Sequence, residues 1–137
     1  MKKIFILSLL FIGTNSLTQE IDSLLLGRWH LTKFIENMTG DEIIPPKAHE
    51  DFVFYIEFGD SLVNFNLEIN KCENVYKIIG EHQLKFLYYD ECTKICCDQF
   101  FSTLLTYEQC TNYYLKSTDV LVLVCEDRIF YFAKAKQ

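Results

Sequence analysis

Most of the chemistry open to this chain lies in its six cysteines. Cys92-x-x-x-Cys96-Cys97 is the dense cluster, and Cys72, Cys110 and Cys125 are spread around it. Three uses fit such a set. A structural zinc site would need Cys72, Cys110 or His82 to complete the cluster. Structural zinc sites are normally built from two short-spaced pairs, and only one compact group is present here. A redox pair would call for Cys-x-x-Cys beside a βαβ unit, which the chain lacks. Disulfides ask only for an even count and an oxidising compartment. Three bridges, or two with a pair of remaining thiols, are therefore expected, and no metal or cofactor. Six thiols allow fifteen full pairings, and composition does not choose among them. Cys96 and Cys97 should bond to different partners, because bridging chain neighbours strains the bond.

Other reactive side chains form no constellation. His30, His49 and His82 share no metal-like spacing. Covalent catalysis needs a Ser or Cys beside an oriented base, and no Gly-x-Ser-x-Gly elbow occurs. Glu57, Glu68, Asp90 and Glu91 could meet in space, but residues of this type on strands and turns more often face solvent. No catalytic residue is expected, and the chain is not read as an enzyme.

Aromatic residues are more telling, with 12 Phe, 8 Tyr and a single Trp. Trp29, Phe54, Phe65, Tyr76, Phe86, Tyr88, Tyr113 and Phe130 are the candidates to face an interior. They could fill it as a packed core or line a pocket for a small apolar ligand.

These residues need elements to hold them. Met1-Lys2-Lys3, the apolar run Ile4 to Ile12 and the small polar exit Gly13 to Thr18 follow the order of a signal peptide. Residues 1–18 are expected to be removed, which places residues 19–137 as one domain outside the cytoplasm, secreted or periplasmic. The whole chain carries 13 basic and 19 acidic residues, net −6, and loss of Lys2 and Lys3 would make it more acidic. An acidic domain without a basic stripe does not suit nucleic acid. No apolar run is long enough for a membrane span.

Residues 21–26 read as a short helical turn before a strand at Arg28 to Ile35. A loop holding Pro45 and Pro46 follows, since paired prolines cannot serve a sheet ladder. Asn37-Met38-Thr39 fits the glycan acceptor pattern. From Phe52 onward, period-two alternation and turn residues mark strands ending at Phe58, then Val63 to Ile69, Asn74 to Ile79 and Leu84 to Tyr89. Asp98 could cap a helix from Gln99 to Glu108, with Phe101, Leu104 and Leu105 on its apolar stripe and Phe100 beside it. Strands resume at Thr111 to Lys116, Val120 to Cys125 and Ile129 to Ala133. Val120-Leu121-Val122-Leu123-Val124 is apolar on both faces and should be covered on both. The expected fold is mainly β: eight antiparallel strands in a meander, closed or nearly closed into a barrel, with one helix between strands five and six.

Leu26-Gly27-Arg28-Trp29 resembles the Gly-x-Trp opening of lipocalin-type barrels, in which an arginine from the end of the barrel packs over the Trp. Arg128, the only arginine besides Arg28, would take that place. The second half is similar to the META domain of small exported and heat-shock lipoprotein-like proteins. That pattern has Leu-x-Gly-x-Trp, Cys-Asn then Tyr, Thr-x-x-x-Cys, a helix and a late Gly-Asp-x-Leu-x-Leu hairpin. The matching residues are Gly27 and Trp29; Cys72, Asn74 and Tyr76; Thr93 and Cys97; and Asp119 to Leu123. Glu73 intervenes between Cys72 and Asn74, and Thr118 stands where the family has Gly. The resemblance implies a small curled barrel and a Cys72–Cys97 bridge, with Cys92, Cys96, Cys110 and Cys125 pairing among themselves. It implies no catalytic residue. The function expected is non-catalytic binding of a small apolar ligand or an envelope protein. The alternatives are a structural or stress-related interaction module with a filled core, and a cysteine-based metal or redox protein.

Overall fold

The computed structural model describes residues 22–46, 54–67, 70–87, 91–93 and 105–136. The leader expected over residues 1–18 lies outside them. The strands are β1 (Gly27–Glu36), β2 (Glu42–Ile43), β3 (Tyr55–Phe58), β4 (Leu62–Leu67), β5 (Asn70–Gly80), β6 (Gln83–Phe86), β7 (Glu91–Cys92), β8 (Cys110–Ser117), β9 (Val120–Cys125) and β10 (Arg128–Lys134).

Eight of these form a closed antiparallel barrel. Going round, the order is β1, β3, β4, β5, β6, β8, β9 and β10, and β10 pairs back onto β1. Each neighbour in space is also the next barrel strand in sequence, so the barrel is an up-and-down meander, as the alternation predicts. Short β2 extends from β1, and β7 pairs with β5. Closure leaves the main strands without long free edges.

Inward residues alternate along each strand and make one core. On β5, Cys72, Asn74 and Tyr76 all point inward. On β1 the alternation is re-phased. Trp29, Leu31 and Phe34 are buried, and the register against β10 shifts between Leu31 and Lys33. The extra residue, Thr32, bulges outward and its Oγ1 donates to Tyr131 O at 2.9 Å. Without that bulge Phe34 would face solvent. On β9, Leu121 and Leu123 enter the core, while Val122 is buried outside it, flanked in register by Tyr114 and Tyr131. The outer face of that run is covered only in part, since Val120 and Val124 beside Val122 are half-buried.

The two ends of the barrel differ. At the Trp29 end, Leu25 N–H donates to Asp22 O at 2.9 Å in a turn that presses Leu25 into the core. This is a hydrogen-bonded turn and not a helix. At the opposite end, Leu105 and Tyr107 are buried. Most of the helix expected over residues 99–108 lies outside the described residues. Its described end is not α-helical: Tyr107–Gln109 form one 3-10 turn. The reason is a period of two. Leu105 and Tyr107 both reach the core, and Thr106 between them does not. Among the described residues, no helix is long and apolar enough to cross a membrane.

Candidate functional site

Trp29 is fully buried, between Ile56 of β3 and Lys134 of β10. Its Nε1–H donates to Leu25 O at 2.8 Å, so the indole also fastens the turn that covers it. Lys134 Nζ lies 4.1 Å from the ring centre and donates to Leu26 O. Burial lowers the Lys134 pKa, opposed in part by the Asp119 carboxylate. Gly27 takes φ +99 at this point, and a Cβ there would stand 3.4 Å from Lys134 Nζ. A lysine thus occupies the place expected for Arg128. Register is the cause: Trp29 faces Lys134, while Arg128 faces Glu36 at the far end of the same strand. There Arg128 pairs with Asp127 at 2.9 Å and Glu36 at 3.6 Å, and stands over Phe34 at 5.8 Å.

Among the described residues two disulfides are present, Cys72–Cys92 and Cys110–Cys125. Each joins residues directly opposed across an antiparallel pair, β5 with β7 and β8 with β9. The Cys72–Cys97 bridge implied by the resemblance is therefore wrong, because β7 sets Cys92 opposite Cys72. Thr93 reinforces that placement: its N–H donates to Lys71 O and its Oγ1 accepts from Lys71 N–H, both at 2.9 Å. Cys110–Cys125 is one of the pairings left open. Cys96 and Cys97 lie outside the described residues. The two bridges fit an oxidising, extracytoplasmic setting. Among the described residues, no three His, Cys, Asp or Glu side chains come together as a metal site would need.

Of the interior candidates, Trp29, Phe54, Phe65, Tyr76, Tyr113 and Phe130 are buried in the core and Phe86 packs partly against it; Tyr88 lies outside the described residues. Their rings touch one another. Tyr107 sits among Phe65, Phe130 and Phe132 with centroid separations of 5.5, 4.9 and 5.6 Å. Phe65 meets Phe86 at 5.7 Å, and Phe58 meets Tyr76 at 5.1 Å. Tyr76 Oη–H donates to Gly59 O at 2.6 Å. These contacts pack aromatic rings against one another in the core. Tyr107, absent from the sequence-based candidates, is central to that packing. Its hydroxyl is buried with no partner among the described residues, and burial holds its pKa well above the usual tyrosine value.

Concave space lies instead at the Trp29 end. A cleft of about 650 Å³ is bounded by residues 22–24 of the N-terminal turn, residues 78–82 at the β5–β6 hairpin, and Tyr113. The barrel wall beside it is weakly joined: β6 begins only at Gln83, and β6 and β8 share one register pair, Gln83 with Asn112. Tyr113 N–H still donates to His82 O at 3.0 Å, and beyond that point the hairpin and the turn part. Tyr113 Oη–H donates to Asp22 Oδ2 at 3.1 Å. Burial, then the nearby Asp22 carboxylate, raises the Tyr113 pKa to about 12, so the phenol remains a donor. Leu24 and Ile79 are exposed on the rim, at 57% and 59%. Of this cleft, the sequence-based candidates include Tyr113, for the interior, and His82, only as a zinc ligand. Asp22 and the 78–82 stretch carry no motif; the meeting depends on strand register.

The remaining polar candidates stay apart. His30 lies against Tyr55, with its pKa lowered by burial and then by the Arg28 charge. Glu57 pairs with Arg28 at 2.8 Å. Asn37 Nδ2, the atom a glycan would take, already donates to Glu126 O at 2.8 Å. His49, Glu68 and Asp90 lie outside the described residues.

Closed, up-and-down antiparallel barrels form the structural class to which this chain belongs. Comparison with protein-family models, curated proteins and solved structures yields no match.

Proposed function

We propose that the chain is exported, loses its leader, and works secreted or in the periplasm as a non-catalytic META- or lipocalin-like barrel that holds a small apolar molecule. The observation that carries this reading is the distribution of space. Aromatic rings pack the interior, while a ligand-sized cleft that combines apolar Leu24, Ile78 and Ile79 with the hydrogen-bonded Asp22 and Tyr113 opens at the Trp29 end. The two cross-strand disulfides and the order of the leader residues support export. Backbone-amide NMR during titration with 1-octanol tests it. Shifts should cluster at residues 22–24, 78–82 and Tyr113. Shifts centred on Phe65, Tyr107 and Phe130 would move the ligand into the barrel, and an unchanged spectrum would rule the reading out.

A second reading, an interaction module that meets an envelope partner protein, is favoured by the exposure of Leu24 and Ile79 on one rim. In that case octanol leaves the spectrum unchanged, and Ile79→Ser weakens association with the partner.

A further inference from the structure

The charge pattern of the cleft narrows what it can hold, and this inference rests on the cleft being the binding site proposed above. Its lining contains two carboxylates, Asp22 and Glu81, and neither lysine nor arginine. Asp22 is fixed in place: Oδ1 accepts from Leu24 N–H and Oδ2 from the Tyr113 hydroxyl, both at 3.1 Å. Both donors are neutral. Asp22 forms no ion pair among the described residues, and each oxygen retains acceptor capacity. Glu81 stands at the hairpin tip, with His82 Nε2 at 3.9 Å. His82 takes φ 57, a left-handed conformation that holds its ring 5.8 Å from Tyr113 and 5.3 Å from Tyr114. The opening is thus bordered by negative charge and aromatic faces. Leu24, Ile78 and Ile79 give the remaining lining its apolar character. The net charge of −6 adds a long-range field of the same sign.

We propose that the cleft takes a small organic cation with an apolar body. Its ammonium sits against the Asp22 carboxylate, where the opposite charges pair. Its hydrocarbon lies on Leu24, Ile78 and Ile79. An anion with the same hydrocarbon meets Asp22 and Glu81 and is rejected. The occupant is a small molecule and not a basic peptide, because about 650 Å³ is the size of a single small-ligand site.

The test compares three probes with one tail, octyltrimethylammonium, octanesulfonate and 1-octanol, each titrated into the purified protein below micelle formation and at low salt. The cation should bind at one site at least tenfold more tightly than the sulfonate. Asp22→Asn keeps Oδ1 as the acceptor for Leu24 N–H, and its amide NH2 can donate to the Tyr113 hydroxyl, which then accepts. It should weaken the cation five- to tenfold and leave octanol unchanged. Glu81→Lys changes an exposed hairpin tip that the fold does not use, and should narrow or reverse the preference for cation over sulfonate. Equal binding of all three probes, or a cation affinity indifferent to both substitutions, would overturn the charge inference and leave the apolar cleft standing. Binding of none would remove the cleft reading and this inference with it.

Discussion

Lys134 and Trp29 are partners twice over: their backbones face each other across the seam that closes the barrel, and the lysine ammonium lies 4.1 Å from the indole centre. The same ammonium donates to Leu26 O, so one side chain ties the last strand, the indole and the covering turn together. Lys134→Met keeps the hydrocarbon and removes the charge and the donor. It should lower stability by about 1–2 kcal/mol, from the lost cation–π contact and hydrogen bond. Lys134→Arg should recover most of the loss. Urea unfolding followed by Trp29 fluorescence measures both, and an unchanged midpoint for Lys134→Met would show the contact to be idle.

The disulfides stabilise by restricting the unfolded chain, and they close short loops, with sequence separations of 20 and 15. Replacing Cys110 and Cys125 together by Ser should cost about 3 kcal/mol. The Cys72/Cys92 double replacement should cost a similar amount and also free β7, since that two-residue strand is otherwise held by Thr93. Peptide mapping without reductant should recover Cys72 with Cys92 and Cys110 with Cys125. Recovery of Cys72 with Cys97 would reinstate the pairing that the family resemblance implies.

Strand alternation was legible in the sequence where a strand has one dry face. Val63 and Phe65 on β4, alternating with Asn64, announce their direction without knowledge of any partner, whereas the all-apolar β9 does not. Closure followed from strand count and chain length. Illegible were the features set by register between distant strands. The choice of Lys134 over Arg128 at the indole depends on how β10 slides along β1. The Thr32 bulge, which rescues Phe34 for the core, depends on the same seam. Cys92 finds Cys72 because two residues of β7 pair with β5, too short a run to show a period. Tyr107 was hidden for a related reason: Leu104, Leu105 and Glu108 imitate helical spacing, while the contact that matters alternates through Leu105 and Tyr107. The cleft belongs wholly to this second group, since a weak β6–β8 seam has no mark in composition.

Tyr113 gives the fold a dependence on alkaline pH. Its folded pKa is about 12, above the ordinary value of 10.0, because burial and the Asp22 carboxylate disfavour the phenolate. The folded state therefore holds its proton where the unfolded state releases it. Stability from this group is complete below pH 10 and is lost as pH rises toward 12. Stability measured by urea unfolding should fall across that window, and Tyr113→Phe should flatten the fall. Phenolate absorbance should show one fewer late-titrating tyrosine in the variant. A curve that Tyr113→Phe leaves unaltered would mean that the phenol is not shielded as described.

Tyr107 sets shape against polarity in one residue. Its ring fills the space among Phe65, Phe130 and Phe132, so Tyr107→Ala should open a cavity and cost about 3–5 kcal/mol, the range for deleting a buried aromatic side chain. The hydroxyl has no partner among the described residues and is shut away from water. Leaving such a group unsatisfied costs about 1–3 kcal/mol. Tyr107→Phe keeps the ring and removes that penalty, so it should leave stability unchanged or raise it by about 1 kcal/mol. Thermal and urea unfolding of the two variants give the comparison. Destabilisation by Tyr107→Phe would mean that the hydroxyl has a partner in the folded protein, and hydrogen–deuterium exchange around the 3-10 turn would then locate it.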